Sequence, residues 1–94
     1  GMIIPINEKW QLVSDRYCWA VQERAGVRKD GTPRWKPVLY YTRLEQALRG
    51  LADLNMRLSE ADGLVGALDE AERFSSTLRQ ALSPLDWDKV SLPQ

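Results

Sequence analysis

Ninety-four residues make room for one small domain, and a chain of this length buries about 60–70% of the surface its unfolded form exposes, which excludes a second core. Thirteen cations balance thirteen acids, there is no histidine and there is one cysteine, so an imidazole base, a histidine or thiolate metal cluster and an intrachain disulfide are excluded. No apolar run approaches the ~20 residues that cross a bilayer. The residues from Met2 onward lack the basic start and long apolar stretch of a secretory leader, so residence in the cytoplasm is expected.

In chain order, residues 2–9 place isoleucines around Pro5, which donates no ladder hydrogen bond and so predicts an extended arm or a sheet edge. Trp10 to Ser14 alternates as a short strand, and Asp15 and Arg16 close it as a turn. From Tyr17 the alternation is clearer: Tyr17, Trp19 and Val21 share one face, while Cys18, Ala20, Gln22 and Arg24 share the other. The apolar neighbours of Cys18 predict a small buried side chain rather than a reactive thiol. Gly26, Asp30-Gly31 and Pro33 mark a reversal with Asp-Gly at its tip. The returning strand, residues 34–41, sets Trp35, Pro37, Leu39 and Tyr41 against Lys36, Val38 and Tyr40, and Pro37 makes it an edge or a bulged strand.

At Tyr40-Tyr41-Thr42-Arg43-Leu44-Glu45 the period changes from two to between three and four. Thr42 and Glu45 have the spacing of a capping box, which predicts a helix starting at Thr42. Leu44, Ala47, Leu48, Leu51, Leu54 and Leu58 form its apolar stripe, and Gly50 predicts close approach of another element. A second stripe, Ala61, Leu64, Val65, Leu68, Ala71, Phe74, Leu78 and Leu82, is either a second helix capped near Ser59 or the continuation of one bent helix. Ser83-Pro84 stops it, and Trp87 in the tail is expected to dock back on the body. The fold class is therefore α+β: a single domain over 2–94, with an arm (2–9), a three-stranded antiparallel meander (10–41), helices (42–83) and a tail (84–94).

Charge divides along the chain. Residues 1–50 hold nine cations and five acids and residues 51–94 four cations and eight acids, so a basic sheet region of +4 joins an acidic helical region of −4. The densest acids are Asp69, Glu70 and Glu72. Asp69 and Glu72 would share a helix face, but a run interleaved with Ala71, Arg73 and Phe74 reads as a solvated helix side rather than as a cation site. No Walker loop, nucleophile elbow or dinucleotide fingerprint is present, and no enzyme activity, cofactor, metal, membrane partner or small-molecule substrate is expected.

Two surfaces remain as candidates. Arg24, Arg28, Lys29, Arg34 and Lys36 crowd one hairpin with Trp35 between two of them, a pattern that can track phosphates while an aromatic ring stacks on a base. If Tyr17, Trp19, Val21, Leu39 and Tyr41 face the helices, the other sheet face carries Cys18, Ala20, Val38 and Tyr40. That face is apolar enough to be covered by the 2–6 arm or by a second copy, a dimer being the expected state.

The series of a strand, a Lys-Asp-Gly turn, Trp35, Tyr40-Tyr41-Thr42, Leu44-Glu45, Ala47-Leu48 and a helical tail resembles a group of small phage and prophage proteins. The resemblance spans about residues 10–60. It implies an accessory protein of a bacterial mobile element and supplies no catalytic or binding residue. The functional expectation is a non-enzymatic interaction module that self-associates, with nucleic-acid binding through residues 24–36 as the alternative.

Overall fold

Four antiparallel strands, β1 (Ile3–Pro5), β2 (Trp10–Ser14), β3 (Trp19–Val27) and β4 (Pro33–Tyr41), form a sheet in the order β1-β2-β3-β4. Two helices follow, α1 (Leu44–Leu58) and α2 (Gly63–Leu82). The computed structural model describes residues 1–83, so the expectations for Pro84 and Trp87 lie outside the described residues.

The α+β expectation holds, with a correction to the strand count. The N-terminal arm covers neither sheet face but pairs edge-on with β2, Ile4 opposite Leu12. Met2 ties it down, since its amide donates to Ser14 Oγ at 3.0 Å and its carbonyl accepts the Ser14 amide at 2.8 Å. Pro5 is accommodated because β1 is an edge strand.

Each reversal of the sheet is held by the carboxamide or carboxylate of one residue. Asn7 Oδ1 accepts the amides of Lys9 and Trp10, both at 2.9 Å. Asp15 Oδ1 accepts those of Tyr17 and Cys18 at 2.7 and 2.8 Å. Asp30 Oδ1 accepts the Thr32 amide at 3.0 Å and its hydroxyl at 2.7 Å, while Gly31 adopts the φ of +88° that only glycine takes without strain.

These bonds hold both carboxyls below the usual carboxylate range, Asp15 through the Tyr17 and Cys18 amides and Asp30 through Thr32. A carboxyl with a folded pKa below its unfolded one stabilises the fold fully above the unfolded value, ~3.9, and loses that contribution as pH falls through the folded one. Thermal melts between neutral pH and ~pH 2 should therefore lose stability below about pH 4. Asp15→Asn with Asp30→Asn should flatten that loss, whereas an unchanged acid limb would show that the turns contribute nothing to it.

The core lies between the sheet and the helices. Ile4, Leu12, Val21 and Leu39 stand in one row across all four strands, the first three of them fully buried. Trp10 joins them from β2 and Ile6 from the β1–β2 connection, Leu44, Ala47 and Leu51 from α1, and Phe74 and Leu82 from α2. α1 lies along β3 and β4, and α2 reaches β1. The close approach expected at Gly50 is the Tyr41 ring, whose hydroxyl occupies the space that a β-carbon would need. Leu58 ends the α1 stripe half exposed instead of buried.

A polar chain crosses from the core to the surface. Trp10 Nε1 donates to Asn55 Oδ1 at 3.4 Å, Asn55 Nδ2 donates to Glu70 Oε1 at 3.0 Å, and Arg73 Nη1 pairs with Glu70 Oε2 at 2.7 Å. It ties sheet, α1 and α2 together at one point, beside a crevice lined by Ala52, Met56 and Phe74.

The helix starts differ from the expected caps. Arg43 rather than Thr42 is the N-cap of α1, and no side chain caps it. Thr42 Oγ1 instead bonds Gln46 Oε1 at 3.2 Å, one helical turn on. The helices are two, separated at residues 59–62, where Ser59 Oγ accepts the Ala61 amide at 3.0 Å.

Candidate functional site

The sheet face away from the helices follows from the register. Its first row is Ile3, Val13, Ala20 and Tyr40, its second Pro5, Gln11, Gln22 and Pro37, and a third holds Arg24 opposite Trp35. Gln11 Nε2 donates to Gln22 Oε1 at 2.6 Å, a cross-strand bond within the second row. No acidic side chain stands in these rows.

Of the four residues expected to form an apolar patch here, the register places two, Ala20 and Tyr40, on this side. Tyr40 is 63% exposed and Ala20 is half-buried within the sheet. Cys18 precedes β3, half-buried, its thiol pushed above the ordinary value by desolvation and by the nearby Asp15 carboxylate, the state of an unreactive cysteine. Val38 leaves the set: the register breaks between Val21 and Gln22, where β4 carries one residue more than β3, and Val38 packs against the core. Tyr17, expected on the helix-facing side, sits in the Asp15 turn and is 78% exposed.

The same bulge reverses everything beyond it. Trp35 and Pro37, which strict alternation aligns with Leu39 and Tyr41, stand on the opposite face, Trp35 across from Arg24 and Pro37 across from Gln22. Lys36 moves to the helix side, across from Glu23, whose carboxylate already meets Lys9 Nζ at 3.8 Å.

β2 ends its pairing at Trp10 opposite Glu23, so residues 24–35 project beyond it as a two-stranded ribbon, and residues 24–34 are exposed throughout. Arg24, Arg28, Lys29 and Arg34 form no ion pair among the described residues. Asp30, the only acid in the ribbon, is turned inward on Thr32. The structure thus brings Arg24 and Trp35 together, places Arg28 and Lys29 at the tip, and separates Lys36 from them.

The second apolar stripe divides into two surfaces. Leu64, Val65 and Leu68, read from the sequence as one stripe with Phe74 and Leu82, are 76%, 72% and 56% exposed, and only Phe74 and Leu82 of that helix are buried. The signal lay in the spacing, since at ~100° per residue Val65 stands about half a turn away from Phe74, nine positions on. Beside Leu68 a shallow groove runs along the outer flank of α2, lined by Ala71, Glu72, Ser75, Ser76 and Arg79.

Among the described residues, no three Cys, Asp or Glu side chains converge as a metal site, and no helix is long and apolar enough to cross a membrane. Set against family models, curated proteins and solved structures, the chain matches none of them.

Proposed function

We propose that this chain is a non-enzymatic interaction module that self-associates as a dimer, its two copies pairing α2 against α2 in antiparallel fashion. The observation that carries this reading is the exposure of Leu64, Val65 and Leu68 on a helix whose other half is packed. Exposed apolar side chains contiguous along a helix flank gain about 25 cal/mol for each Å² that a partner covers.

A second copy is the occupant that fits. Antiparallel pairing centred near Ala71 sets Leu68 against the small Ser75 of the groove, and Leu64 against the aliphatic stem of Arg79. It also sets the acids ahead of α2, Glu60 and Asp62, near the guanidinium of Arg79 at the far end of the partner helix. Zero net charge leaves no overall repulsion between copies. Pairing of sheet edges is disfavoured, because Pro5 and Pro37 interrupt the two outermost strands and β4 is bulged beside Pro37. An accessory protein of a mobile element, the class its junction motif resembles, would be such a module.

Sedimentation equilibrium at ~100 µM tests this, since a small interface of this kind implies a dissociation constant in the micromolar range. The expected result is a dimer that Leu68→Lys converts to monomer without changing the far-ultraviolet spectrum. A monomeric wild type overturns the proposal. So does a dimer that survives Leu68→Lys but is lost in Tyr40→Lys, which would move the interface to the open sheet face.

A further inference from the structure

The basic ribbon and the open sheet face form one continuous surface, and no part of the α2 flank belongs to it. We propose that this surface binds single-stranded nucleic acid, with Arg24, Arg28, Lys29 and Arg34 following the phosphates and Trp35 and Tyr40 offering their rings to the bases.

Three observations converge on it. Four cations crowd one exposed ribbon without ion-pair partners among the described residues; Arg16, Lys36, Arg43, Arg49 and Arg79 also lack such a partner, but no other segment gathers as many in so short a span. The ribbon's own carboxylate is committed to Thr32 and holds the turn rather than a cation. The β4 bulge carries the indole of Trp35 to the face that already bears Tyr40 and sets Arg24 opposite it, so a ring and a guanidinium stand side by side at the ribbon's base.

On this surface the four cations outnumber its one carboxylate, Asp30, so its net charge attracts phosphate. Neutralised phosphates release counterions, and every base has a π-face that can stack. In a duplex the bases are already stacked, so Trp35 and Tyr40 distinguish the single strand.

The test is fluorescence anisotropy of a labelled oligo(dT) of about twelve nucleotides with the full chain. Four phosphate contacts give a slope of log K against log salt of about −2 to −3, so raising salt from ~50 to ~200 mM should weaken binding by about 20- to 60-fold. Arg28→Glu with Lys29→Glu should abolish binding, and Trp35→Ala should weaken it at least about fivefold on the single strand. Arg49→Glu, an exposed site on α1, should leave it unchanged. Because Arg28, Lys29 and Arg49 are exposed, their variants should melt like the wild type, and Tyr40→Ala, at an exposed ring, offers a second stacking probe beside the half-buried Trp35. Absence of binding at low salt overturns the proposal. So does equal affinity for duplex with no effect of Trp35→Ala and Tyr40→Ala, or capture by phosphatidylglycerol vesicles as strong as by the oligonucleotide, which would make the ribbon a membrane-surface element.

Discussion

Trp10→Ala is expected to destabilise the fold by about 3–5 kcal/mol, the range for deleting a large buried aromatic, against a total stability of about 5–14 kcal/mol for a domain of this size. Trp10 has no exposed surface, lies in the sheet row that also contains Glu23, and among the described residues is the only indole whose nitrogen hydrogen-bonds to a helix. Its removal opens a cavity against Ile6, Leu51 and their neighbours in the same buried cluster and leaves Asn55 Oδ1 without its donor. Urea titration reads the loss as a fall in midpoint at nearly unchanged slope. Trp10→Phe separates the two contributions: it keeps most of the ring and loses only the Nε1 hydrogen bond, so it should cost about 1–3 kcal/mol. If both substitutions cost under 1 kcal/mol, the Trp10–Asn55–Glu70 chain is not part of what holds α1 and α2 to the sheet.

How much of this was legible depended on whether the pattern was unbroken. β2 and the start of β3 alternate cleanly in the sequence, and the register then sets Leu12 opposite Val21, both buried. Beyond Val21 an extra residue in β4 shifts the parity, and no alternation argument detects a bulge that leaves the pattern apolar on both sides of the break; Val38, Pro37 and Trp35 were misassigned together for that reason. The arm was read correctly as extended with a proline at an edge. Its pairing partner was not legible, because three residues carry too little pattern to specify a register.

The two helical stripes show a second limit. In α1, Leu44, Ala47 and Leu51 recur on one side and are buried. In α2 the apolar residues drift around the axis, and a list of spacings of three and four accepts Val65 and Phe74 as one stripe although they face opposite ways. Counting angles rather than intervals would have exposed Leu64, Val65 and Leu68 as a separate surface. For the basic hairpin, the sequence supplied the residues and the structure their sorting: Asp30 is occupied, Lys36 faces Glu23, and Trp35 joins Arg24.

Leu12→Ala and Val13→Ala, adjacent positions on one strand, are expected to differ by several kcal/mol. Leu12 is fully buried in the row between Ile4 and Val21 and under the helices, so its truncation should cost about 2–5 kcal/mol. Val13 stands on the other face between Ile3 and Ala20, half-buried by strand neighbours alone, and its truncation should cost under about 1 kcal/mol. The difference depends on which face the helices cover, because side chains alternate and a slip of one residue in the β1-β2-β3 pairing exchanges the two sets. Denaturation should be measured at a few micromolar or below, where the proposed α2 pairing would be dissociated and could not add to the apparent stability. At that concentration a large effect at Leu12 and a small one at Val13 fixes the covered face as the one that carries Trp10 and Val21. Equal effects would require something to cover the Ile3–Val13–Ala20–Tyr40 row in the monomer, which would also bury Tyr40 and remove one of the two rings offered to a nucleic acid.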